Sequence, residues 1–293
     1  MERISFKPEY YEKLCDFLIK LNKDNKDHIN WNWARFEWMY EHPMFDKSSL
    51  SLISLWIDNN EIVGTALYDM FFGEASILVL PHYYHLYSEI LDYAYHNLKD
   101  DDGLKVAVPD NHEIEIALIT KAGYTKIDQT ETMMSIDLNS PLNVPHLEGI
   151  RFINLDPIND YDELCWLFWQ GFDHGDDKEE CQKENTIKGG SRVHYNPYLS
   201  VTVECDGKNV AHCSLWYNNK TDYAYVEPVC VIPEYRGKGI AKAMIYEALN
   251  RARNLGAKKA YVISDMEFYE KLGFRKVKHY TFYQLKAVHI NNY

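Results

Sequence analysis

Residues 233–249 read PEYRGKGIAKAMIYEAL, in which a turn with two glycines and two basic residues leads into an apolar run. Before the turn, residues 223–231 (YAYVEPVCV) are mostly aromatic and β-branched, which predicts a buried strand. After it, apolar residues recur at helical spacing and predict an amphipathic helix over 238–254. These residues are Ile240, Ala241, Met244, Ile245, Ala248, Leu249 and Ala252. The stretch therefore predicts a strand, a glycine turn and a helix in immediate succession.

The segments on either side of this stretch complete an order of strands and helices. Upstream, an amphipathic helix (159–172) and a more polar helical stretch precede two hairpin strands, 199–205 and 209–217. Downstream come a strand at 258–263, a short helix near 266–272 and two closing strands. Because hairpin strands come first and strands then alternate with helices, the predicted fold class is α/β with a mixed sheet.

The same order of elements occurs twice in the chain. YEKLC at 11–15 returns as YDELC at 161–165, an offset of 150 residues, and KAGYTKI returns as KLGFRKV at the same offset. The strand-ending prolines, Pro81 and Pro233, are 152 residues apart. Several matches in order at a near-constant offset indicate a duplicated fold.

A linker separates the two copies. Residues 139–149 (NSPLNVPHLEG) hold two prolines and a glycine, a composition typical of connecting segments. The sequence therefore predicts one domain at 1–140, here called the first copy, and another at 149–293, here called the second copy.

Composition and charge exclude several classes of function. An apolar fraction of 46% over 293 residues is enough for two ordinary globular domains. The formal charge of -13 argues against nucleic acid as a partner, because phosphate backbones are bound by basic faces. We find no signal peptide or membrane-spanning run, and the six cysteines contain no CxxC pair, so we expect a cytoplasmic protein with no membrane partner. His82 and His85 have no third ligand at helical spacing, and we expect no bound metal.

The glycine turn has the chemistry of an anion site. Amide N–H groups in the first turn of a helix have no internal partner, and the helix dipole adds positive potential there. Glycines let a phosphate approach those amides, and Arg236 and Lys238 add charge. The turn is not a Walker A loop, because GxxxxGK[ST] is missing, and Lys242 replaces the third glycine of a dinucleotide fingerprint.

In these residues the second copy resembles the GNAT superfamily of N-acetyltransferases. Arg236, Gly239 and Ala241 fit the family's [QR]-x-x-G-x-[GA] loop, and Tyr269 to Phe274 fit its Y-x-x-x-G-F motif. The likeness extends over 150–290 and implies two tandem acyl-CoA N-acyltransferase (GNAT) folds.

The resemblance also implies a co-substrate, acetyl-CoA or another acyl-CoA, and the residues that bind it. The pyrophosphate would lie on the turn, and the pantetheine arm along the end of the preceding strand. Pro228 cannot donate to a sheet ladder and indicates a bulge, which agrees with the strand splay of this family. The expected binding residues are Val229, Cys230, Val231, Arg236, Gly237, Lys238, Gly239, Ile240 and Ala241.

Two residues are candidates for the chemistry. Glu227 lies in an apolar strand, where loss of water raises a carboxyl pKa toward that of a useful base. The alternatives are a structural ion pair or a role in orienting substrate. Tyr269 lies where the family places a phenol beside the departing sulfur; the alternative is an aromatic packed on the sheet. A covalent acetyl-cysteine route through Cys230 is the weaker interpretation.

The first copy lacks these features. Aligned on the prolines, Tyr84 replaces Arg236, Tyr87 replaces Gly239 and Glu89 replaces Ala241; the other two replacements are Ala75 for Glu227 and Ile119 for Tyr269. A tyrosine blocks the amides and a carboxylate competes with an anion, so we expect a degenerate domain without chemistry.

Two further segments of the sequence have open interpretations. Trp31, Trp33 and Trp38 either cap the contact between the copies or line a cleft for the acceptor. The acidic segment 172–180 (FDHGDDKEE) is either a solvated face or an attraction for a cationic amine.

The prediction is an acetyl-CoA-dependent N-acetyltransferase that acts directly on a primary amine of a small molecule, in the second copy. The alternatives are an acyl-CoA-binding sensor or pseudoenzyme, and a protein acetyltransferase that acts on lysine or an amino terminus. Acceptor pockets in this fold have no readable code, and the sequence indicates no oligomeric state.

Overall fold

The computed structural model describes residues 1–42, 45–157, 159–184 and 193–287. The first copy contains strands β1 (Glu2–Ser5), β2 (Ser54–Asp58), β3 (Glu61–Tyr68), β4 (Glu74–Val79), β5 (Gly103–Pro109) and β6 (Thr125–Asp137), with helices α1 (Tyr11–Leu21), α2 (Trp33–Glu41), α3 (Tyr87–Leu98) and α4 (Glu113–Lys121). The second contains β7 (Ile150–Ile153), β8 (Ser200–Cys205), β9 (Lys208–Tyr217), β10 (Tyr223–Val231), β11 (Lys259–Ile263) and β12 (Arg275–Lys286), with α5 (Tyr161–Gly171), α6 (Lys178–Glu184), α7 (Ile240–Leu255) and α8 (Glu267–Lys271). The order of elements and the mixed α/β class are as predicted.

Two predicted details of the elements are wrong. The helix after the turn begins at Ile240, not at 238, because Gly237 and Gly239 have φ values of 74° and 80°, outside the helical region. The two closing strands are one long strand in each copy, β6 and β12. The ladder between β12 and β6 is continuous, and the polar residues that suggested a break lie at irregularities of its register, between Lys276 and Lys278 and again between Thr281 and Tyr283.

The two copies share one sheet and exchange their last strands. The twelve strands have the order β1-β2-β3-β4-β5-β12-β6-β11-β10-β9-β8-β7. Strand β12 of the second copy therefore pairs with β5 of the first, and β6 of the first copy pairs with β11 of the second. The boundaries 1–140 and 149–293 divide the sequence into two copies and remain a prediction. At the centre of the sheet, by contrast, strands of the two copies alternate.

The strand exchange brings helices of the first copy onto strands of the second. One core cluster contains residues of α1 and α2 together with aromatic side chains of the second copy, and α2 packs on β10. Those aromatic residues are Trp216, Tyr223, Tyr225, Tyr261 and Tyr280. A second core cluster lies between α7 and the other face of the second copy's strands.

Strands β10 and β11 separate part of the way along their length. They pair in parallel only at Tyr223–Tyr225 against Lys259–Tyr261, although β10 continues to Val231. The predicted bulge is confirmed, since the register against β9 shifts between Val226 and Val229, at the position of Pro228. A gap in the sheet therefore opens directly before the glycine turn.

Among the helices of the described ranges, none has the length and apolar character needed to span a bilayer.

Candidate active site

The glycine turn leaves the first amides of α7 open. Gly239 is the residue before the helix, no side chain of the described residues caps it, and the first internal hydrogen bond runs from the Ala243 N–H to the Gly239 carbonyl (3.1 Å). A Cβ added at Gly237 would meet no atom within 4 Å, and one at Gly239 would meet only Leu147 Cδ2 of the linker at 3.9 Å. An anion can therefore approach these amides without obstruction, which fits the pyrophosphate of an acyl-CoA.

Arg236 holds the turn in place by hydrogen bonds and also adds positive charge to it. Its Nε donates to the Val231 carbonyl (2.9 Å), and its Nη2 donates to the Gly171 carbonyl (2.9 Å) and to Asp173 Oδ2 (3.0 Å). This guanidinium ties the turn to the end of α5, so part of its charge is matched by Asp173. Lys238 is exposed, with Nζ 4.6 Å from the centroid of the Tyr235 ring.

The strand end before the turn presents two half-buried valines and a buried cysteine. Val229 and Val231 are half-buried, and Cys230 packs its Sγ where Gly171 leaves room: a Cβ there would lie 2.7 Å from the sulfur. Burial raises the pKa of Cys230 to about 12. The thiol is therefore protonated near neutral pH, which argues against a cysteine nucleophile.

Glu227 lies in the bulge at the mouth of the sheet gap. Its backbone carbonyl accepts a hydrogen bond from Trp216 Nε1 (2.7 Å). Loss of water raises the pKa of the Glu227 carboxyl to about 7, Arg35 lowers it and Asp69 raises it. The direction of this shift agrees with the expectation from the sequence, and at neutral pH a substantial fraction of the carboxyl is ionised.

Tyr269 is held close to the same gap. It lies in α8, is 8% exposed, and packs edge-on against Phe268 and Phe274 at centroid distances of 5.1 and 5.4 Å. Burial, followed by Cys213 and Glu227, raises the pKa of its phenol above the usual value. Tyr269 is therefore a neutral O–H donor near the Glu227 carboxyl.

The corresponding turn of the first copy is closed. A 3₁₀ helix (Pro81–Leu86), kinked at Tyr83, leads directly into α3, and the Tyr87 N–H donates to the Tyr84 carbonyl. The Tyr87 side chain is fully buried, and the Tyr84 hydroxyl lies 2.9 Å from His112 Nε2. Glu89 accepts a hydrogen bond from Trp56 Nε1 (2.7 Å). The amides that would hold a phosphate are thus used or covered, as the sequence predicted.

The sequence reasoning missed a charged cluster of the first copy whose members, Arg35 and Asp69, shift the pKa of Glu227. Arg35 of α2 donates from Nε and Nη2 to Asp69 Oδ2 (3.2 and 2.9 Å), and from Nη1 to Glu131 Oε2 and the Asn30 carbonyl (both 3.0 Å). Its guanidinium lies 4.8 Å above the Trp31 ring. A lone arginine in the aromatic run NWNWARFEW was the available signal, because a buried cation among rings needs partners from elsewhere.

An acidic cleft adjoins this cluster. A cavity of about 20 Å³ beside Arg35 and Asp69 shares Glu74, Glu131 and Phe282 with an open cleft of about 300 Å³. Further lining residues of the cleft are Gln129, Thr130, Thr132, Ile263, Ser264 and Asp265. The cleft lies between the two copies, and carboxylates dominate its charge.

The three tryptophans of the first copy's aromatic run have three different surroundings. Trp33 is fully buried and lies edge-on to His194 of the second copy (5.5 Å), which is the predicted contact between the copies, whereas Trp31 lines the small cavity. The Trp38 ring packs against the ring of His42, the residue that follows α2, at a centroid distance of 5.3 Å.

The acidic segment, residues 172–180, is exposed to solvent. In the described residues, no group of three or more His, Cys, Asp or Glu side chains is arranged to hold a metal ion.

Comparison with known proteins gives matches to one family. The sequence profile of the Acetyltransferase (GNAT) family matches residues 159–274. An uncharacterised N-acetyltransferase of Methanocaldococcus jannaschii is 27% identical over 138 residues, which are 43% of this chain and 60% of that protein. A glucosamine 6-phosphate N-acetyltransferase of Trypanosoma brucei brucei is 43% identical over 54 residues, 17% of this chain and 37% of that protein. This chain thus spans less than two thirds of each of these curated relatives.

A solved structure resembles the whole chain. A tandem GNAT protein from the clavulanic acid biosynthesis pathway superposes with a TM-score of 0.64 and 13% identity, covering 98% of each chain. At this identity the likeness concerns the fold, and it includes both copies.

Proposed function

We propose that this protein is an acetyl-CoA-dependent N-acetyltransferase whose chemistry takes place in the second copy; the match of the GNAT acetyltransferase family profile to residues 159–274 and the tandem GNAT fold of the whole chain support this proposal. The observation that carries the proposal is the open glycine turn at the start of α7, beside a sheet gap that holds Glu227 and Tyr269. The first copy has no counterpart of the turn or of either side chain.

In this proposal acetyl-CoA supplies an activated acetyl group, and the protein supplies position and proton transfer. The amides of Gly239, Ile240 and Ala241 bind the pyrophosphate. An alkylammonium with a pKa of ~10.4 loses its proton at neutral pH at a cost of roughly 4 kcal/mol, and Glu227 accepts that proton. The free amine attacks the thioester carbonyl and the C–S bond breaks; Tyr269 donates its phenolic proton to the departing sulfur and regains a proton from the nitrogen that becomes the amide.

The proposed acceptor is a small primary amine that enters through the cleft between the copies. Glu74, Glu131 and Asp265 line this cleft, and the first two are paired with Lys105 and Arg35, so the net negative charge that remains favours a cation. The cleft volume of about 300 Å³ supports a small molecule over a protein segment, which would need a longer groove. We further propose that no nucleic acid or membrane takes part.

Calorimetric titration of the chain with acetyl-CoA tests the proposal. We expect one site per chain, because only the second copy has open amides, followed by turnover in a screen of primary amines. Two sites would show that the closed turn of the first copy opens for ligand. No binding would overturn the assignment, and binding without turnover on any amine would favour the sensor alternative.

Tyr269→Phe tests the proposed proton donor. Removal of the hydroxyl should lower kcat by about 10- to 100-fold and leave acetyl-CoA affinity within about twofold, because only proton transfer to sulfur is lost. Steady-state kinetics together with calorimetry measure both quantities.

Tyr223→Phe is the matched control for Tyr269→Phe. Tyr223 is also a buried tyrosine of the second copy, and its hydroxyl has no hydrogen-bond partner among the described residues. Its kcat should equal that of the wild type. Equal kcat values for the two variants would leave Tyr269 with a packing role only.

A further inference from the structure

We propose that Arg35 of the first copy is a positioning residue for the reaction of the second copy: its guanidinium faces the Glu227 carboxylate and stabilises it as an anion. The inference rests on the proposed function and assigns to the degenerate copy a part in the chemistry of its neighbour.

The packing of α2 on β10 brings the two residues together. Tyr225 of β10 belongs to the core cluster that contains α1 and α2. Trp216, of the same cluster, donates from Nε1 to the Glu227 carbonyl (2.7 Å), so the bulge that holds Glu227 lies at the edge of this cluster. Arg35 lies against the same cluster, because its guanidinium is 4.8 Å from the ring of Trp31, another of its members.

Arg35 is fixed in a single place. Its guanidinium donates four hydrogen bonds, two to Asp69 and one each to Glu131 and the Asn30 carbonyl, and the Trp31 ring lies against its face. The side chain is 17% exposed. A guanidinium held in this way applies a constant field and needs no rearrangement during the reaction.

The charged and titratable groups that interact electrostatically with Glu227 come from five elements. They are Arg35 on α2, Asp69 after β3, Tyr225 on β10, Cys213 on β9 and Tyr269 on α8. Arg35 is the cation among them, whereas Asp69 opposes it and the thiol and phenols are neutral. Burial raises the pKa of Glu227 and Arg35 lowers it, and the balance lies near neutral pH, where a base is useful.

Two substitutions of opposite sign test the proposal. Arg35→Gln removes the attractive charge, so the acidic limb of the pH profile of kcat/KM should move up by about one unit. Asp69→Asn removes the repulsive charge, so the limb should move down. Arg35→Lys should restore much of the wild-type profile, because it keeps the charge.

Lys20→Gln serves as the control for a general change in charge. Lys20 also belongs to the first copy and is paired with a carboxylate, Glu61, but the pair is exposed. Its pH profile should match that of the wild type. Thermal unfolding identifies any variant that fails to fold, and Asp69→Asn then still gives a signed answer.

A titration of Glu227 by carbon NMR, assigned with Glu227→Gln, separates this inference from the proposed function. If no amine is turned over but the Glu227 pKa still rises in Arg35→Gln, the proposed function fails and the influence of Arg35 on Glu227 stands. If the NMR pKa and the acidic limb are unchanged in folded Arg35→Gln and Asp69→Asn, the inference is overturned.

Discussion

Gly239→Glu should weaken acetyl-CoA binding by more than about 100-fold, or ~2.7 kcal/mol. Gly239 has a φ of 80°, so any side chain there strains the backbone at the start of α7. The new carboxylate would also lie at the open amides, where it competes with the pyrophosphate for the same positive potential. The substitution imitates the first copy, whose Tyr87 and Glu89 occupy the equivalent turn. Calorimetric titration with acetyl-CoA measures the loss.

Gly207→Glu is the matched control for Gly239→Glu. Gly207 lies in the hairpin between β8 and β9, has a φ of 79°, and has open space around its Cβ position. The strain and the added charge are therefore similar, but the site is not a helix start. This variant should bind acetyl-CoA as tightly as the wild type. Equal losses in both variants would mean that strain, and not the turn, is responsible.

Glu227→Gln should lower kcat/KM by about 10²- to 10⁴-fold, the usual contribution of a positioned base. Glutamine keeps the shape of the side chain but cannot accept the proton of the ammonium, so acetyl-CoA affinity should not change. In the wild type, kcat/KM should fall about tenfold per unit as pH drops below about 7, because the Glu227 pKa is raised to about 7 and its protonated form is inactive. This limb should be missing from any residual activity of the variant.

Glu204→Gln controls for Glu227→Gln. Glu204 lies on β8 of the same sheet and pairs with Arg151 outside the site. We expect an unchanged pH profile for Glu204→Gln.

Glu227→Gln should also be at least as stable as the wild type at pH 8, because the buried carboxyl, with its raised pKa, loses stabilisation as pH rises from about 4.5 to about 7. An acidic limb that persists in Glu227→Gln would assign the base to another residue.

The exchange of β6 and β12 makes the sheet of each copy depend on the other. The first copy inserts β6 beside β11, and the second inserts β12 beside β5, so neither sheet is complete without the other copy. The same exchange brings α2 onto β10, the strand that leads to the glycine turn. The first copy therefore keeps the fold without an open turn and packs on the site-bearing strand of its neighbour.

What the sequence by itself determined was local. The stripe from Ile240 to Ala252 requires an amphipathic helix, and Pro228 requires a break in the ladder because it has no N–H to donate. The open and closed turns follow from Gly239 and Tyr87, since glycine adopts positive φ and leaves the amides uncovered. Each of these features depends on a few consecutive residues and elementary sterics.

Only the tertiary structure decided which strand pairs with which copy. The two terminal strands, around TMMSIDL and TFYQLKA, are similar apolar segments, and each can extend the edge of either half-sheet. The choice depends on the packing of all twelve strands and their helices at once, which no local pattern records. The partners of Arg35 depend on the same choice, because Glu131 lies on the exchanged strand β6. For this reason the glycine turn was predictable from the sequence, and the charged cluster around Arg35 was not.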